Sequence, residues 1–176
     1  MKSLKYWLLV LGILSCFGCS SSIHEDNRGC SFICDSIQYR IEFMSAGCVR
    51  ILSYPEGDTL VTKRLVVDVE KPTFTDYKWE ETEQAFVFCT HELLVSFDKS
   101  DEAFTFREAS TGKLLLKEKD RRKARNFKRS EVGGEQCLEV TQRFIPTDEE
   151  AIYGLGQYQN GIMNYRGKSV LLLQAN

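Results

Sequence analysis

Apolar and polar residues alternate at every second position in several short runs. Tyr39, Ile41 and Phe43 alternate with Gln38, Arg40 and Glu42. Phe104 and Phe106 alternate with Thr105 and Arg107, and Leu138 and Val140 with Glu139 and Thr141. A period of two places the apolar members on one face of a β-strand, so each run predicts a strand with one buried face. Residues 65–69, 86–90 and 93–97 are more densely apolar, as strands in the middle of a sandwich are. Turn-forming residues fall between the runs: Pro55-Glu56-Gly57-Asp58, Asp98-Lys99-Ser100-Asp101, Ser110-Thr111-Gly112 and Gly133-Gly134. Many short strands at close spacing predict an all-β sandwich or barrel. Residues 117–128 are the one stretch of helical composition, but they carry no apolar stripe and read as a charged loop or long hairpin.

The start of the chain follows a different pattern. Lys2 and Lys5 precede an apolar run over residues 6–14, too short for a bilayer span of about 20 residues and suited to a secretory signal. Cys16-Phe17-Gly18-Cys19-Ser20-Ser21-Ser22 follows, and a cysteine after a small residue and before serines resembles a bacterial lipoprotein cleavage site. Gly18 and the polar residues beyond favour Cys19 as the lipidated residue. Cys16 is the alternative, and bulky Phe17 and Leu14 occupy the position two before each cysteine. A plain signal peptide cleaved nearby is the competing reading. The expected organisation is a lipoprotein signal peptide over residues 1–19, a tether over 20–36 and a β-sandwich domain over 37–176. The expected location is the bacterial cell envelope, with the membrane as partner through the lipid.

Composition narrows the remaining chemistry. With 43% hydrophobic and 27% charged residues and a net charge of −2, the chain is neither disordered nor strongly basic. The cluster of Lys and Arg over residues 119–129 reads as a solvated loop, and no nucleic-acid partner is expected. If Cys19 is lipidated and Cys16 is removed with the signal peptide, five of the seven cysteines remain. Cys30 and Cys34 could close a small disulfide loop, while Cys48, Cys89 and Cys137 are expected to pack as small hydrophobes. Cys89-x-His91 is the best metal-binding fragment, but no C-x-x-C or H-x-x-x-H spacing supports it, so neither metal nor cofactor is expected. The two histidines are His24, in the expected tether, and His91, expected as a structural histidine between two apolar strands. No acid–base constellation is visible, and no catalytic residue is assigned.

The last stretch of the chain differs from everything before it. Tyr153-Gly154-Leu155-Gly156-Gln157 demands a tight turn or a close approach, and Gln157, Gln159, Asn160, Asn164, Tyr165 and Arg166 follow within ten residues. Amides, a guanidinium and a phenol suit hydroxyl-rich ligands, because they exchange hydrogen bonds without requiring charge on the ligand. Residues 170–173 then read as a buried strand, with Gln174 and Asn176 at its far end. On the residues alone, this is a polar hairpin between two strands.

The pattern E-x-x-Y-G-L-G-Q, then Gly161, Asn164, Arg166-Gly167 and L-x-Q-x-N, resembles the end of the N-terminal β-sandwich of glycoside hydrolase family 31. That family contains α-glucosidases and α-xylosidases. The resemblance extends over residues 37–176, with looser matches at 39–43, 49–51, 86–90, 93–95 and 110–115. It implies an antiparallel β-sandwich of the galactose mutarotase-like type. It also implies two catalytic aspartates on a (β/α)8 barrel that follows the sandwich. The catalytic barrel is absent from this sequence, so no catalytic position is carried over, and the chain reads as a fragment or truncation ending before the last strands of its sandwich. The implied function is that of a non-catalytic domain of a secreted hydrolase acting on α-glucosides or α-xylosides. An α-linked oligosaccharide would be its partner through the full enzyme. Gln157, Gln159, Asn164, Arg166, Gln174 and Asn176 are candidates to rim the sugar site or to brace the domain interface. The alternatives are a free-standing glycan-binding lipoprotein and a scaffolding sandwich without a sugar site.

Overall fold

The computed structural model describes residues 23–58, 74–121, 127–156 and 160–172. Within them the chain folds into two antiparallel sheets and a hairpin. The first sheet is a meander of β1 (His24–Asp26), β2 (Gly29–Cys34), β3 (Ile37–Ser45) and β4 (Cys48–Pro55). The second is a meander of β5 (Lys78–Glu81), β6 (Ala85–Cys89), β7 (Leu93–Asp98), β8 (Ala103–Glu108) and β9 (Leu114–Lys117). β10 (Phe127–Val132) pairs with β11 (Glu135–Val140) around the Gly133-Gly134 turn.

The alternation read from the sequence decides which faces meet. Tyr39, Ile41 and Phe43 of β3 turn inward with Cys30 and Phe32 of β2, against Phe86, Phe88, Val95, Phe97 and Phe104 of the second sheet. The contact between the sheets is largely aromatic. Phe32 lies 4.6 Å from Phe86 and 4.9 Å from Phe97 between ring centroids, and Tyr39 lies 4.9 Å from Phe97. Offset and tilted rings at these spacings add to the burial of large apolar area. The expected all-β sandwich is therefore present.

The expected tether is corrected by the structure. Residues 24–34 form β1 and β2, and Cys30 and Phe32 are 1% and 2% exposed in the core. The polar positions that suggested a linker lie on the outer side, where they form ion pairs: Asp26 meets Arg40 at 2.8 Å. Gly29 is required at the β1–β2 turn. Its φ is +145°, and a Cβ there would sit 2.0 Å from the Ile41 carbonyl oxygen. Cys30 and Cys34 lie four residues apart on one extended strand, a spacing of about 13 Å that no disulfide spans. Neither forms a disulfide.

Three further expectations change. Cys48 and Cys137 are exposed rather than packed, although Cys89 is half-buried. His91 is exposed in the β6–β7 turn, with its imidazole 3.4 Å from the Glu92 carboxylate, so it is not a core histidine. β11 forms in the predicted place, yet Leu138 and Val140 remain exposed, because among the described residues the hairpin pairs only with itself. The dense run at 65–69 lies outside the described residues.

Residues 117–121 are more than a solvated loop. Arg121 is buried, and its guanidinium donates to Glu118 at 2.6 Å and lies over the rings of Tyr39 (5.6 Å) and Phe104 (6.0 Å). Glu118 also accepts from the Phe104 backbone N–H at 2.9 Å and from the Gln142 amide. This cluster ties β9 and the segment returning from β11 to the end of the core. Burial there pushes the Tyr39 hydroxyl up to about 12, with Arg121 opposing the shift.

Candidate functional site

The chain after β11 runs without regular strands through residues 141–156 and 160–172, held by a set of side-chain-to-backbone bonds. The Gly-Leu-Gly turn has the form its glycines suggested. Gly154, Leu155 and Gly156 all adopt positive φ, at 92°, 64° and 107°. For the two glycines this carries no steric penalty, but for Leu155 the left-handed conformation costs on the order of 1–2 kcal/mol.

Arg166 organises the stretch. Its Nη1 donates to the backbone carbonyls of Thr147, Asp148 (3.1 Å) and Glu150 (2.7 Å). One guanidinium thus fixes the approach to the Gly-Leu-Gly turn from the far side of the loop. Asn164 makes a second cross-link. Its Oδ1 accepts from the Ile152 N–H at 3.1 Å and from the Arg166 N–H at 3.0 Å, while the Tyr165 N–H donates to the Ile152 carbonyl at 2.7 Å. Tyr165, 7% exposed, donates its hydroxyl to Asn160 Oδ1 at 3.3 Å. Asn164 and Arg166 are therefore brought together, and both bond to the backbone of residues 147–152. Gln157, Gln159, Gln174 and Asn176 lie outside the described residues, as do Cys16 and Cys19.

Around this frame the surface is apolar. Tyr153, Met163, Leu171 and Leu172 are 65%, 78%, 83% and 62% exposed. Residues 170–172 do not form the buried strand expected of them: they take no regular strand conformation, and Leu171 and Leu172 are exposed. Exposed apolar area this concentrated marks a surface that meets another surface. The signal in the sequence was real, but the apolar residues face outward from the domain rather than into it. A recess of about 270 Å³ opens between Asn160, Ile162, Tyr165, Lys168 and residues 169–171. A second, of about 280 Å³, is lined by Asp76, Tyr77, Lys78, Cys89, Thr90 and His91 near the β6–β7 turn. Between them the two recesses hold one carboxylate, Asp76.

Two of the buried carboxylates are committed to ion pairs with arginines. Glu42 bonds Arg40 at 2.9 Å and Arg50 at 3.1 Å, and Glu118 is held as described. Among the described residues, no group of three or more His, Cys, Asp or Glu side chains is arranged to hold a metal ion. Sequence reasoning missed Glu118 and Arg121 because charged residues in a charged run give no sign that two of them turn inward.

The comparisons with known proteins agree with this frame. Residues 38–175 match the model of the glycosyl hydrolase 31 N-terminal galactose mutarotase-like domain. The GH31 alpha-xylosidase from Xanthomonas citri is similar at 30% identity with a TM-score of 0.74, over 87% of this chain and 16% of that one. A GH31 alpha-xylosidase from a soil metagenome, solved with xylose, aligns at 20% identity and a TM-score of 0.58, over 84% of this chain and 24% of its own length. The cycloalternan-forming enzyme from Listeria monocytogenes, solved with a pentasaccharide substrate, aligns at 19% identity and a TM-score of 0.58, over 84% of this chain and 13% of its own. The last two share the fold. The chain thus spans a small part of each of these enzymes, and it belongs to the glycosyl hydrolase 31 N-terminal galactose mutarotase-like domain family.

Proposed function

We propose that this domain is the non-catalytic N-terminal sandwich of a secreted glycoside hydrolase that acts on α-linked glucosides or xylosides, with xylosides favoured. The family match over residues 38–175 carries the reading. The similarity to the Xanthomonas citri alpha-xylosidase supports the xyloside preference. Retaining glycosidases need two carboxyl groups about 5–5.5 Å apart, flanking the bond to be cut. Among the described residues, Glu42 and Glu118 are held by arginines, and Asp76 is the one carboxylate lining a recess. The chemistry then belongs to a (β/α)8 barrel working beside the sandwich.

In this reading the C-terminal stretch is the surface that meets the barrel. Arg166 and Asn164 brace it from within, while Tyr153, Met163 and Leu171 supply apolar contact area. Bracing is favoured over direct sugar contact, because both polar side chains bond to the chain's own backbone. The test is a domain exchange. This sandwich replaces the N-terminal sandwich of the Xanthomonas citri alpha-xylosidase, and hydrolysis of p-nitrophenyl α-xyloside and α-glucoside is measured. An active chimera in which Arg166→Ala lowers the melting temperature and leaves KM near normal supports bracing. A rise in KM at unchanged melting temperature supports a rim contact instead.

The secretory signal and the lipid on Cys19 belong to the same proposal. Their support is the short apolar run ending at Gly18-Cys19-Ser20. Cys19→Ala should move the protein from the membrane fraction to the soluble fraction, and release by Cys16→Ala alone would reassign the anchor.

A further inference from the structure

The position of β1 fixes how a lipid anchor would present the domain. β1 is secured at its start on both sheets. His24 pairs with Ser31 in the first sheet. Glu25 accepts from the Tyr77 hydroxyl at 3.1 Å and from Trp79 Nε1 at 3.0 Å, both beside or on β5 of the second sheet. Ile23 packs against the core. Between a lipid on Cys19 and Ile23, the first described residue, the sequence then holds three residues, not the seventeen of the expected tether.

The register turns that count into a distance. β1 enters from the end of the first sheet that carries the β2–β3 turn at Asp35-Ser36 and the turn after β4 at Glu56-Gly57. Beyond the level of His24 and Ser31, β2 continues three residues to Cys34, about 10 Å of strand. Five residue steps separate Cys19 from His24, with a reach of at most about 17 Å. Some 7 Å is then left to clear the end of the sheet, on the order of the headgroup layer.

We propose that the bilayer surface is the partner of this end of the sandwich. The Asp35-Ser36 and Glu56-Gly57 turns face the membrane, and the Asn27-Arg28 and Ala46-Gly47 turns point away. The proposal rests on lipidation of Cys19. Asp35 and Glu56 are exposed acids, so the tether's length holds the domain there, rather than attraction to anionic lipid. The C-terminal apolar stretch is left open to its own partner.

Single-site fluorescence quenching on the acylated protein tests this. Native Cys48, exposed at the start of β4, reports the far end in a background where Cys34, Cys89 and Cys137 are serine, and Glu56→Cys, in that background with Cys48 also serine, reports the near end. About 26 Å of extended chain separates the two positions along β4. The proteins are reconstituted in vesicles of phosphatidylethanolamine and phosphatidylglycerol carrying a nitroxide on the headgroup, after matching melting temperatures show both fold. Quenching should be several-fold stronger at position 56 than at 48, and a long Gly-Ser insertion after Ser22 should abolish the difference. Equal quenching at both positions in a protein shown by mass spectrometry to be acylated at Cys19 overturns the placement. Absence of the acyl mass at Cys19 overturns the anchor reading instead.

Discussion

Two kinds of charged residue are distinguished by their surroundings. Glu118 and Arg121 are both buried, and each satisfies the other together with Gln142 and the Phe104 N–H. Removing one member strands the other away from water, which typically costs about 3–5 kcal/mol. Glu118→Ala should therefore lower the free energy of unfolding by about that amount in urea titrations, and Lys119→Ala, at an exposed neighbour, by less than about 0.5 kcal/mol. Asp26 and Asp98 act at the surface. The Arg40 guanidinium holds the Asp26 carboxyl below its ordinary value of 3.8. Burial works to raise Asp98, but hydrogen bonds from Ser100 and the Asp101 N–H outweigh it and hold it low as well. A depressed carboxyl stabilises the fold fully above its unfolded value and loses that contribution as pH falls through the folded one. Thermal melts should thus show a drop in stability as pH falls below about 4, and Asp26→Asn and Asp98→Asn should each flatten that drop.

At the scale of elements, β1 and β2 are the surprise and the Gly-Leu-Gly turn is the fulfilment. If residues 23–34 are part of the sandwich, deleting them uncovers Phe86 and Phe97, which Phe32 contacts, and the remainder should lose its cooperative unfolding transition. A chain that starts at Ile37 and still melts sharply would restore the tether. Leu155 gives a second prediction. Its backbone strain serves no contact in the core, so Leu155→Gly should leave the melting temperature of the isolated domain unchanged or raise it slightly, while weakening the domain's hold on a catalytic partner. The legible elements were those where a period of two or a dense apolar run extends over five or more residues, as in β3 and in β6 and β7, and those where glycines mark a turn. β2 was illegible because Ser31 and Cys34 interrupt its apolar residues and Asn27, Arg28 and Gly29 read as a linker. Residues 170–172 misled for the opposite reason: an apolar run is the same whether it faces its own core or another surface. Of the candidate site, Asn164 and Arg166 were legible as important, but their backbone partners at residues 147–152 were not, since no sequence pattern records a long-range bond to a carbonyl.

For the whole molecule, the aromatic core gives a stable frame between two meander sheets, and the C-terminal stretch gives it an apolar outer face. On the proposed reading such a domain positions and braces a catalytic partner, and its buried Glu42 and Glu118 are held in ion pairs with arginines. The isolated domain should associate through its exposed Tyr153, Met163 and Leu171. Tyr153→Ser, Met163→Ser and Leu171→Ser together should then shift its sedimentation toward monomer. The central claim is that the sandwich carries no chemistry of its own. The most direct measurement is hydrolysis of p-nitrophenyl α-xyloside and α-glucoside by purified residues 20–176, beside a mock preparation from the same host. Release of p-nitrophenol should be indistinguishable from the mock. Turnover above the mock that copurifies with the domain and is abolished in a Glu42→Gln, Glu118→Gln or Asp76→Asn variant that remains folded would contradict it.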